Sequence, residues 1–140
     1  MRAIVTGGAA GIGKAIVYRL ARDSVRDGQP AQIVIADINE AKAMEIADDL
    51  RRQGAAIEVV IADIADAEAP GTIVARAAAA FGGVDAVISN VGFSAAKPLE
   101  MLDVADWDRV FAANVRAAWL LAKASYEHLL ASAGTFVAIT

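Results

Sequence analysis

Short apolar runs alternate along this chain with longer segments in which apolar side chains recur every three or four residues. The runs are apolar at successive positions, which is typical of strands buried on both faces in a parallel sheet. The longer segments have the periodicity of helices that pack one face against such a sheet. The pattern predicts strands at residues 3–5, 33–36, 57–62, 85–90 and 135–140, and helices at residues 12–23, 40–53, 69–81 and 105–130.

This alternation predicts an α/β fold, in which a parallel sheet is covered by helices on each side through right-handed crossovers. Asn39 is the predicted N-cap of the second helix, which should turn Ala43, Ile46, Ala47 and Leu50 inward and end at Gly54. Pro70 opens the third helix, and Gly82-Gly83 closes it. Residues 24–32 are polar and contain Gly28 and Pro30, which predicts a loop.

The last predicted helix is the longest, and Gly134 is its predicted end. Its apolar positions predict one inward stripe, made of Trp107, Val110, Phe111, Asn114, Ala118 and Leu121.

A glycine-rich turn, Thr6-Gly7-Gly8-Ala9-Ala10-Gly11-Ile12-Gly13, joins the first strand to the first helix. Glycines let a backbone approach another group closely, and the free N–H groups at a helix start attract anions. Gly7, Gly11 and Gly13 follow the spacing G-x-x-x-G-x-G rather than the commoner G-x-G-x-x-G. The turn therefore predicts a phosphate-binding site, and an ordinary tight strand-to-helix turn is the alternative.

Composition narrows the class of protein. The 140 residues match one ordinary domain, and 57% hydrophobic residues exclude a disordered chain. A net charge of −4 argues against a nucleic-acid groove or an anionic-membrane surface, and the absence of cysteine excludes a disulfide framework and thiolate metal sites. Arg2 is followed at once by the first predicted strand, and no apolar run reaches the roughly 18 residues of a membrane span. We therefore expect a cytoplasmic protein.

The ends of the predicted strands carry the candidate chemistry, because ligands of open parallel sheets bind beyond the carboxyl ends of the strands. Asp37 lies 24 residues after Gly13, near the spacing at which an acid meets an adenosine ribose. A carboxylate there accepts hydrogen bonds from ribose hydroxyls and repels a 2′-phosphate, since like charges about 4 Å apart cost on the order of 1 to 4 kcal/mol. No lysine or arginine inside the glycine turn offsets that charge. The sequence favours NAD over NADP, and the alternative is that Asp37 is a solvated turn residue.

Two further strand ends carry polar residues. Asp63 could accept a hydrogen bond from the amino group of adenine, with Ile64 as an apolar wall, or it could cap the next helix. Ser89-Asn90-Val91-Gly92 ends the fourth strand, where a small polar pair and a glycine let the chain pass close to a ribose and nicotinamide. A plain turn is the alternative at that position.

Together these residues resemble the short-chain dehydrogenase/reductase family, and the resemblance covers the whole chain. Thr6-Gly7-x-x-x-Gly11-Ile12-Gly13 matches the family's cofactor motif. Asp37 matches its NAD-selecting acid, and Asp63-Ile64 matches its adenine-contacting pair. Ser89-Asn90-Val91-Gly92 resembles its Asn-Asn-Ala-Gly motif, with Asn90 and Gly92 kept.

The resemblance implies a Rossmann-like, doubly wound parallel sheet in the order 3-2-1-4-5, within three αβα layers. It implies that NAD is held by Thr6, Gly7, Gly11, Ile12, Gly13, Asp37, Ile38, Asp63, Ile64, Asn90, Val91 and Gly92. Asn114, in the setting Val110-Phe111-x-x-Asn114-Val115, matches the family's helical asparagine, which supports the catalytic lysine through a water.

The family's catalytic serine follows the fifth strand, and its Tyr-x-x-x-Lys pair comes later still. By this alignment Thr140 lies one position before that serine, and neither Tyr18 nor Tyr126 is followed four places on by a lysine. The resemblance therefore implies that this sequence carries the cofactor site and Asn114 without the serine, tyrosine and lysine. We expect a single NAD-binding domain over residues 1–140 that is incomplete after its fifth strand.

Three functions remain open at this point. The first is an NAD-dependent oxidoreductase that transfers hydride between nicotinamide and an alcohol or carbonyl substrate. The second is an NAD-binding module without turnover, and the third is an NADPH-dependent reductase of ketones or acyl thioesters, against which Asp37 argues. We also expect a homo-oligomer, dimer or tetramer, formed through the helix at 105–130, because Trp119, Tyr126 and neighbouring alanines give it a second apolar stripe.

Overall fold

The computed structural model describes residues 1–26 and 28–140 and contains a five-stranded sheet in which each pairing is parallel. The order across the sheet is β3-β2-β1-β4-β5. This confirms the expected Rossmann-like topology and places its switch point between β1 and β4. The strands are β1 (Arg2–Thr6), β2 (Gln32–Asp37), β3 (Ala56–Ile61), β4 (Ala86–Ser89) and β5 (Thr135–Ala138).

Helices cover both faces of the sheet. A 3₁₀ turn, Leu99–Met101, precedes α4, and a π turn, Ala112–Arg116, joins α4 to α5. None of the helices in the described part of the chain has the length and apolar character needed to cross a membrane. The helices are α1 (Gly11–Arg26), α2 (Glu40–Arg52), α3 (Ala69–Phe81), α4 (Val104–Phe111) and α5 (Ala117–Ser132).

Strand residues point alternately into two cores, one on each face of the sheet. Val5 and Ile35 pack with Leu50 and the other inward residues of α1 and α2. Ile4 and its neighbours on that face pack with α3, the π turn and α5. Because both faces are covered, every residue of β1 after Arg2 is buried. This explains why β1, β2 and β4 are continuous apolar runs rather than alternating ones. Burial on both faces was wrong for β5, which lies at the edge of the sheet and has three of its four residues exposed.

Several helix predictions are confirmed in detail. The Asn39 side chain caps α2 by accepting a hydrogen bond from the Lys42 N–H at 3.1 Å. The residues predicted to face inward on α2 are the buried ones. Helix α3 spans the predicted residues 69–81 and ends at Gly82, whose φ of +76° is the left-handed conformation that glycine favours.

Helix α1 continues to Arg26, so the loop predicted at residues 24–32 begins later than expected. Ser24 is buried within the helix, and its carbonyl accepts a hydrogen bond from the Gln29 N–H at 3.1 Å. A serine is small enough to be buried on the inner face of a helix, so its polarity misled the prediction. Residue 27 of that predicted loop lies outside the described residues.

The helix predicted at residues 105–130 runs from Val104 to Ser132, but its pitch changes in the π turn. A π turn inserts one extra residue, so the positions after it are rotated relative to those before it. The single inward stripe was therefore wrong for Trp107, Phe111 and Asn114, which are exposed. The Trp107 and Phe111 rings stack on each other with centroids 4.5 Å apart. The buried residues of this region are Ala112, Ala113, Ala117, Leu121 and Ser125.

Candidate functional site

A cleft of about 440 Å³ lies beyond the carboxyl ends of β1 to β4. It brings together residues that are far apart in the sequence, as expected for a parallel sheet. Of the predicted cofactor-binding residues, Gly11 and Gly13 do not line the cleft. Those that do are Thr6, Gly7, Ile12, Asp37, Ile38, Asp63, Ile64, Asn90, Val91 and Gly92.

The glycine turn approaches its surroundings as closely as the sequence suggests. Gly7 and Gly11 have φ values of +65° and +52°, which residues other than glycine rarely adopt. A Cβ on Gly13 would lie 2.1 Å from the Gly7 carbonyl oxygen and 2.7 Å from Asn90 Nδ2. Since α1 begins at Gly11, its first N–H groups have no partner within the helix and are available to an anion.

Thr6 and Asn90 fix the floor of the cleft by joining the ends of β1 and β4. Thr6 is 1% exposed, and its Oγ1 accepts a hydrogen bond from the Asn90 N–H at 3.0 Å. Asn90 Nδ2 donates to the Thr6 carbonyl at 3.0 Å. Both side chains therefore set the position of the backbone at Gly7 and Val91, which borders the cleft.

Asp37 lies at the end of β2 with its carboxylate against the glycine turn. Its Oδ2 accepts a hydrogen bond from the Ala9 N–H at 2.9 Å, and its Oδ1 accepts one from the Asn39 N–H at 2.9 Å. None of the lysine and arginine side chains that the structure describes forms an ion pair with it. The side chain is fixed in place by its two backbone hydrogen bonds at the edge of the cleft.

Asp63 follows β3 and is held on both carboxylate oxygens. Oδ1 accepts a hydrogen bond from the Ala65 N–H at 3.0 Å, and Oδ2 accepts one from Arg109 Nη2 at 2.8 Å. The Ala65 N–H and the Arg109 guanidinium lower the pKa of the Asp63 carboxyl below its ordinary value. Asp63 does not cap α3, whose N-cap residue is Glu68. The alternative of helix capping is therefore wrong.

Asn114 lies in the π turn, just outside the lining of the cleft. Its Oδ1 accepts a hydrogen bond from the Phe93 N–H at 2.7 Å, and its Nδ2 donates to the Phe93 carbonyl at 2.9 Å. Phe93 lines the cleft beside Gly92. The side chain of Asn114 thus fixes the segment that follows β4.

Arg109 also lines the cleft and was not predicted from the sequence. Its guanidinium carbon lies 5.7 Å from the centroid of the Phe93 ring, in addition to its ion pair with Asp63. The one sequence feature that could have indicated Arg109 is its position on the same predicted helix as Asn114. Within the described residues, no group of three or more His, Cys, Asp or Glu side chains is arranged to hold a metal ion.

Comparison with known proteins identifies the family. The family model of short chain dehydrogenases matches residues 1–140. The chain belongs to the short-chain dehydrogenase family. A probable short-chain type dehydrogenase/reductase of Bradyrhizobium diazoefficiens is 41% identical over 136 residues, which are 94% of this chain and 46% of that protein. The cis-4-hydroxycyclohexanecarboxylate dehydrogenase of Sinomonas cyclohexanicum is 35% identical over 131 residues, 93% of this chain and 50% of that protein.

This short-chain dehydrogenase chain therefore spans about half the length of the curated relatives it matches. Solved structures agree with the fold. The alcohol dehydrogenase of Thermococcus sibiricus, complexed with 5-hydroxy-NADP, has a TM-score of 0.85 at 28% identity. The superposition covers 97% of this chain and 56% of the alcohol dehydrogenase chain. A short-chain dehydrogenase/reductase of Burkholderia phymatum in complex with NAD has a TM-score of 0.83 at 26% identity, over 97% of this chain and 47% of its own. Both kinds of dinucleotide therefore occur among the structural neighbours.

Proposed function

We propose that this short-chain dehydrogenase binds NAD and transfers hydride between its nicotinamide and an alcohol or carbonyl substrate. The observation that carries the choice of cofactor is the carboxylate of Asp37. It is fixed by two backbone N–H groups at the edge of the cleft and faces it with no basic partner among the described residues. That charge favours ribose hydroxyls and opposes a 2′-phosphate.

In this proposal the residues in and beside the cleft would hold successive parts of a dinucleotide. The turn at Gly7–Gly13 and the start of α1 would take the diphosphate, and Asp37 with Ile38 would hold the adenosine ribose. Asp63 and Ile64 would contact adenine, while Asn90, Val91 and Gly92 would border the second ribose and the nicotinamide. Bound NAD supplies the hydride acceptor, and NADH the donor.

The chain's own residues would bind and orient the reactants in this proposal. Thr6 and Asn90 hold the floor on which the nicotinamide end rests, and Asn114 fixes Phe93 beside it. Protonation of the substrate oxygen needs a positioned acid, a role that the family resemblance gives to a Tyr-x-x-x-Lys pair following the fifth strand. We assign Asn114 to the support of that pair.

Binding titrations with NADH and NADPH, followed by nicotinamide fluorescence, test the proposal. We expect NADH to bind more tightly, and Asp37→Ala to lower the ratio of the two affinities by roughly fivefold or more, since the charge repulsion is worth about 1–4 kcal/mol. Asp108→Ala is the matched control, because it removes the same charge at an exposed position of α4 outside the cleft. Tighter binding of NADPH by the unaltered protein would overturn the choice of cofactor.

Two other functions are separated from this one by simple measurements. An NADPH-dependent reductase is favoured by the 5-hydroxy-NADP in the Thermococcus sibiricus neighbour, and it predicts the opposite affinity ratio. An NAD-binding module without turnover also predicts tight NADH binding, so it is separated by reading the coding sequence past Thr140: a Tyr-x-x-x-Lys pair supports the oxidoreductase, and a stop codon supports the module.

We further propose a cytoplasmic homo-oligomer, dimer or tetramer, formed through the helix that contains α4 and α5. Trp119, Tyr126 and Leu130 are 59%, 60% and 64% exposed on α5, which is a large apolar surface for a helix to present to water. Sedimentation velocity tests this proposal, and a single species with the mass of one chain would contradict it.

A further inference from the structure

Arg109 connects two of the loops that border the cleft. Its Nη2 donates to Asp63 Oδ2 at 2.8 Å in the loop after β3, and its guanidinium carbon lies 5.7 Å from the ring centroid of Phe93 in the loop after β4. Because all three residues line the cleft, the contact lies at the binding surface and not behind it. A contact that only stabilised the fold could equally well lie away from the lining of the cleft.

The contact leaves Asp63 able to receive a ligand. Each of its carboxylate oxygens accepts one hydrogen bond, from the Ala65 N–H on Oδ1 and from Arg109 on Oδ2. An ionised carboxylate has about four acceptor positions and no donor. A ligand group that meets Asp63 must therefore be a donor, as the 6-amino group of adenine is. The 6-oxo group of hypoxanthine is an acceptor and would be repelled.

The loop after β3, which carries Asp63 and Ala65, is also attached to the α4–α5 region without Arg109. Arg116, in the π turn, donates from Nη2 to the Ala65 carbonyl at 2.7 Å. Asn114 holds the neighbouring loop through the backbone of Phe93. Arg109 differs from both because it contacts a side chain that keeps free acceptor positions in the cleft. Removing it would leave the loop tied to the helix and the Asp63 carboxylate held at Oδ1 alone, by the Ala65 N–H, with Oδ2 released.

We propose that Arg109 is a positioning residue that sets the base selectivity of the site, by holding the Asp63 carboxylate in the orientation that accepts a hydrogen bond from the adenine 6-amino group. The inference rests on the proposed function, because it requires a dinucleotide whose base lies at Asp63. It adds to that function a determinant on α4, outside the glycine turn and the strand ends.

The test compares NADH with reduced nicotinamide hypoxanthine dinucleotide, whose base has a 6-oxo group in place of the 6-amino group and a proton on N1. Both are titrated by nicotinamide fluorescence, and the ratio of their affinities is determined in each variant, so that general losses of affinity or stability cancel. We expect the unaltered protein to prefer NADH by roughly tenfold, the effect of one unmade hydrogen bond to a charged group. Arg109→Met should bring the ratio close to one.

Asp63→Asn should also bring the ratio close to one, because its amide can either donate or accept, and Arg109→Met should change nothing further in that background. Arg116→Met loosens the same loop but keeps the Arg109–Asp63 pair, and Arg76→Met breaks an ion pair with Glu58 away from the cleft. Both variants should retain the ratio of the unaltered protein.

Each outcome distinguishes the two proposals. If the unaltered protein binds neither dinucleotide, the proposed function fails and the inference fails with it. If it binds both equally, or if Arg109→Met keeps the preference, the dinucleotide site stands and the role of Arg109 is wrong. An equal loss of preference in Arg116→Met would attribute the effect to loop attachment and would also overturn the inference.

Discussion

Gly13 is the residue of the cleft at which one added methyl group has the clearest consequence. The new Cβ would lie 2.1 Å from the Gly7 carbonyl oxygen and 2.7 Å from Asn90 Nδ2. A backbone carbonyl and a hydrogen-bonded amide cannot move aside as the tip of a flexible side chain can. We expect Gly13→Ala to lower the free energy of unfolding by about 1–3 kcal/mol and to weaken NADH binding, measured by urea denaturation and fluorescence titration.

Gly71 provides the control for that substitution. It lies in α3, where a Cβ would meet nothing within 4 Å and the backbone is helical. Gly71→Ala should raise the free energy of unfolding by about 0.5–1 kcal/mol, because alanine loses less conformational entropy in a helix. Equal losses in both variants would show that close approach at Gly13 does not constrain the turn.

Residues of the candidate site were predictable where a strand end carries them. Asp37 and Asp63 each follow a buried strand, and in a parallel sheet such positions meet at one edge. Both lie in the cleft, while their binding roles stay a prediction. Arg109 was not predictable in this way, because its partner is 46 residues away in the sequence. Their pairing depends on how α4 crosses the sheet, which hydrophobic periodicity does not report.

At the scale of elements, the π turn shows where periodicity fails. Ala112, Ala113, Ala117 and Ala118 are equally small, so the sequence gives no reason to bury some of them rather than others. The structure buries Ala112, Ala113 and Ala117 against the core that includes α3 and leaves Ala118 half-buried. By contrast, the two largest branched apolar residues of α2, Ile46 and Leu50, fall on one face with Ala43 and Ala47, and there the prediction was confirmed.

The end of α5 differs from its prediction in a way that stability measurements can check. The left-handed residue after the helix is Ala133, with φ +50° and ψ +39°, rather than Gly134. This conformation costs an L-residue roughly 1–2 kcal/mol. Glycine avoids that cost, but it loses more conformational entropy on folding, so the net gain in stability is smaller. We expect Ala133→Gly to raise the free energy of unfolding by about 0.5–1 kcal/mol in urea denaturation.

Gly134 serves a different purpose, which makes it the contrasting variant. A Cβ there would lie 2.3 Å from the Asp85 carbonyl oxygen, which accepts a hydrogen bond from the Thr135 N–H at 2.9 Å. Gly134→Ala should therefore destabilise the protein by disturbing the first pairing of β5 with β4. If Ala133→Gly is destabilising as well, the left-handed conformation at residue 133 is not a source of strain.

Across the whole molecule, the two ends of the parallel strands have separate functions. The carboxyl ends of the strands form the cleft, whereas their amino ends carry contacts that hold distant parts of the chain together. Arg2 and Asp85 are 83 residues apart and join the amino ends of β1 and β4. The Arg2 N–H donates to Asp85 Oδ2 at 2.7 Å, Arg2 Nε donates to Oδ1 at 3.1 Å, and the Asp85 N–H donates to the Arg2 carbonyl at 2.8 Å.

This contact predicts how stability depends on pH. Hydrogen bonds from Arg2 hold the pKa of the Asp85 carboxyl below its ordinary value of 3.8. The pKa of Asp85 is lower in the folded state than in the unfolded state. The contact therefore stabilises the fold fully at a pH above the unfolded-state pKa, and this stabilisation is lost as the pH falls through the folded-state pKa. Asp85→Asn should therefore lower the free energy of unfolding by on the order of 1 kcal/mol at pH 7 and by progressively less below about pH 4.

Urea denaturation from pH 7 to about pH 3 measures that difference, with Asp108→Asn as the control for a charge removed from an exposed position of α4. A difference for Asp85→Asn that persists unchanged at the acid end would mean that the shape of the side chain, and not its ionisation, joins β1 to β4. A difference that closes with acid would identify an ionised carboxylate as part of what holds the central strands in register, opposite the cleft that they form.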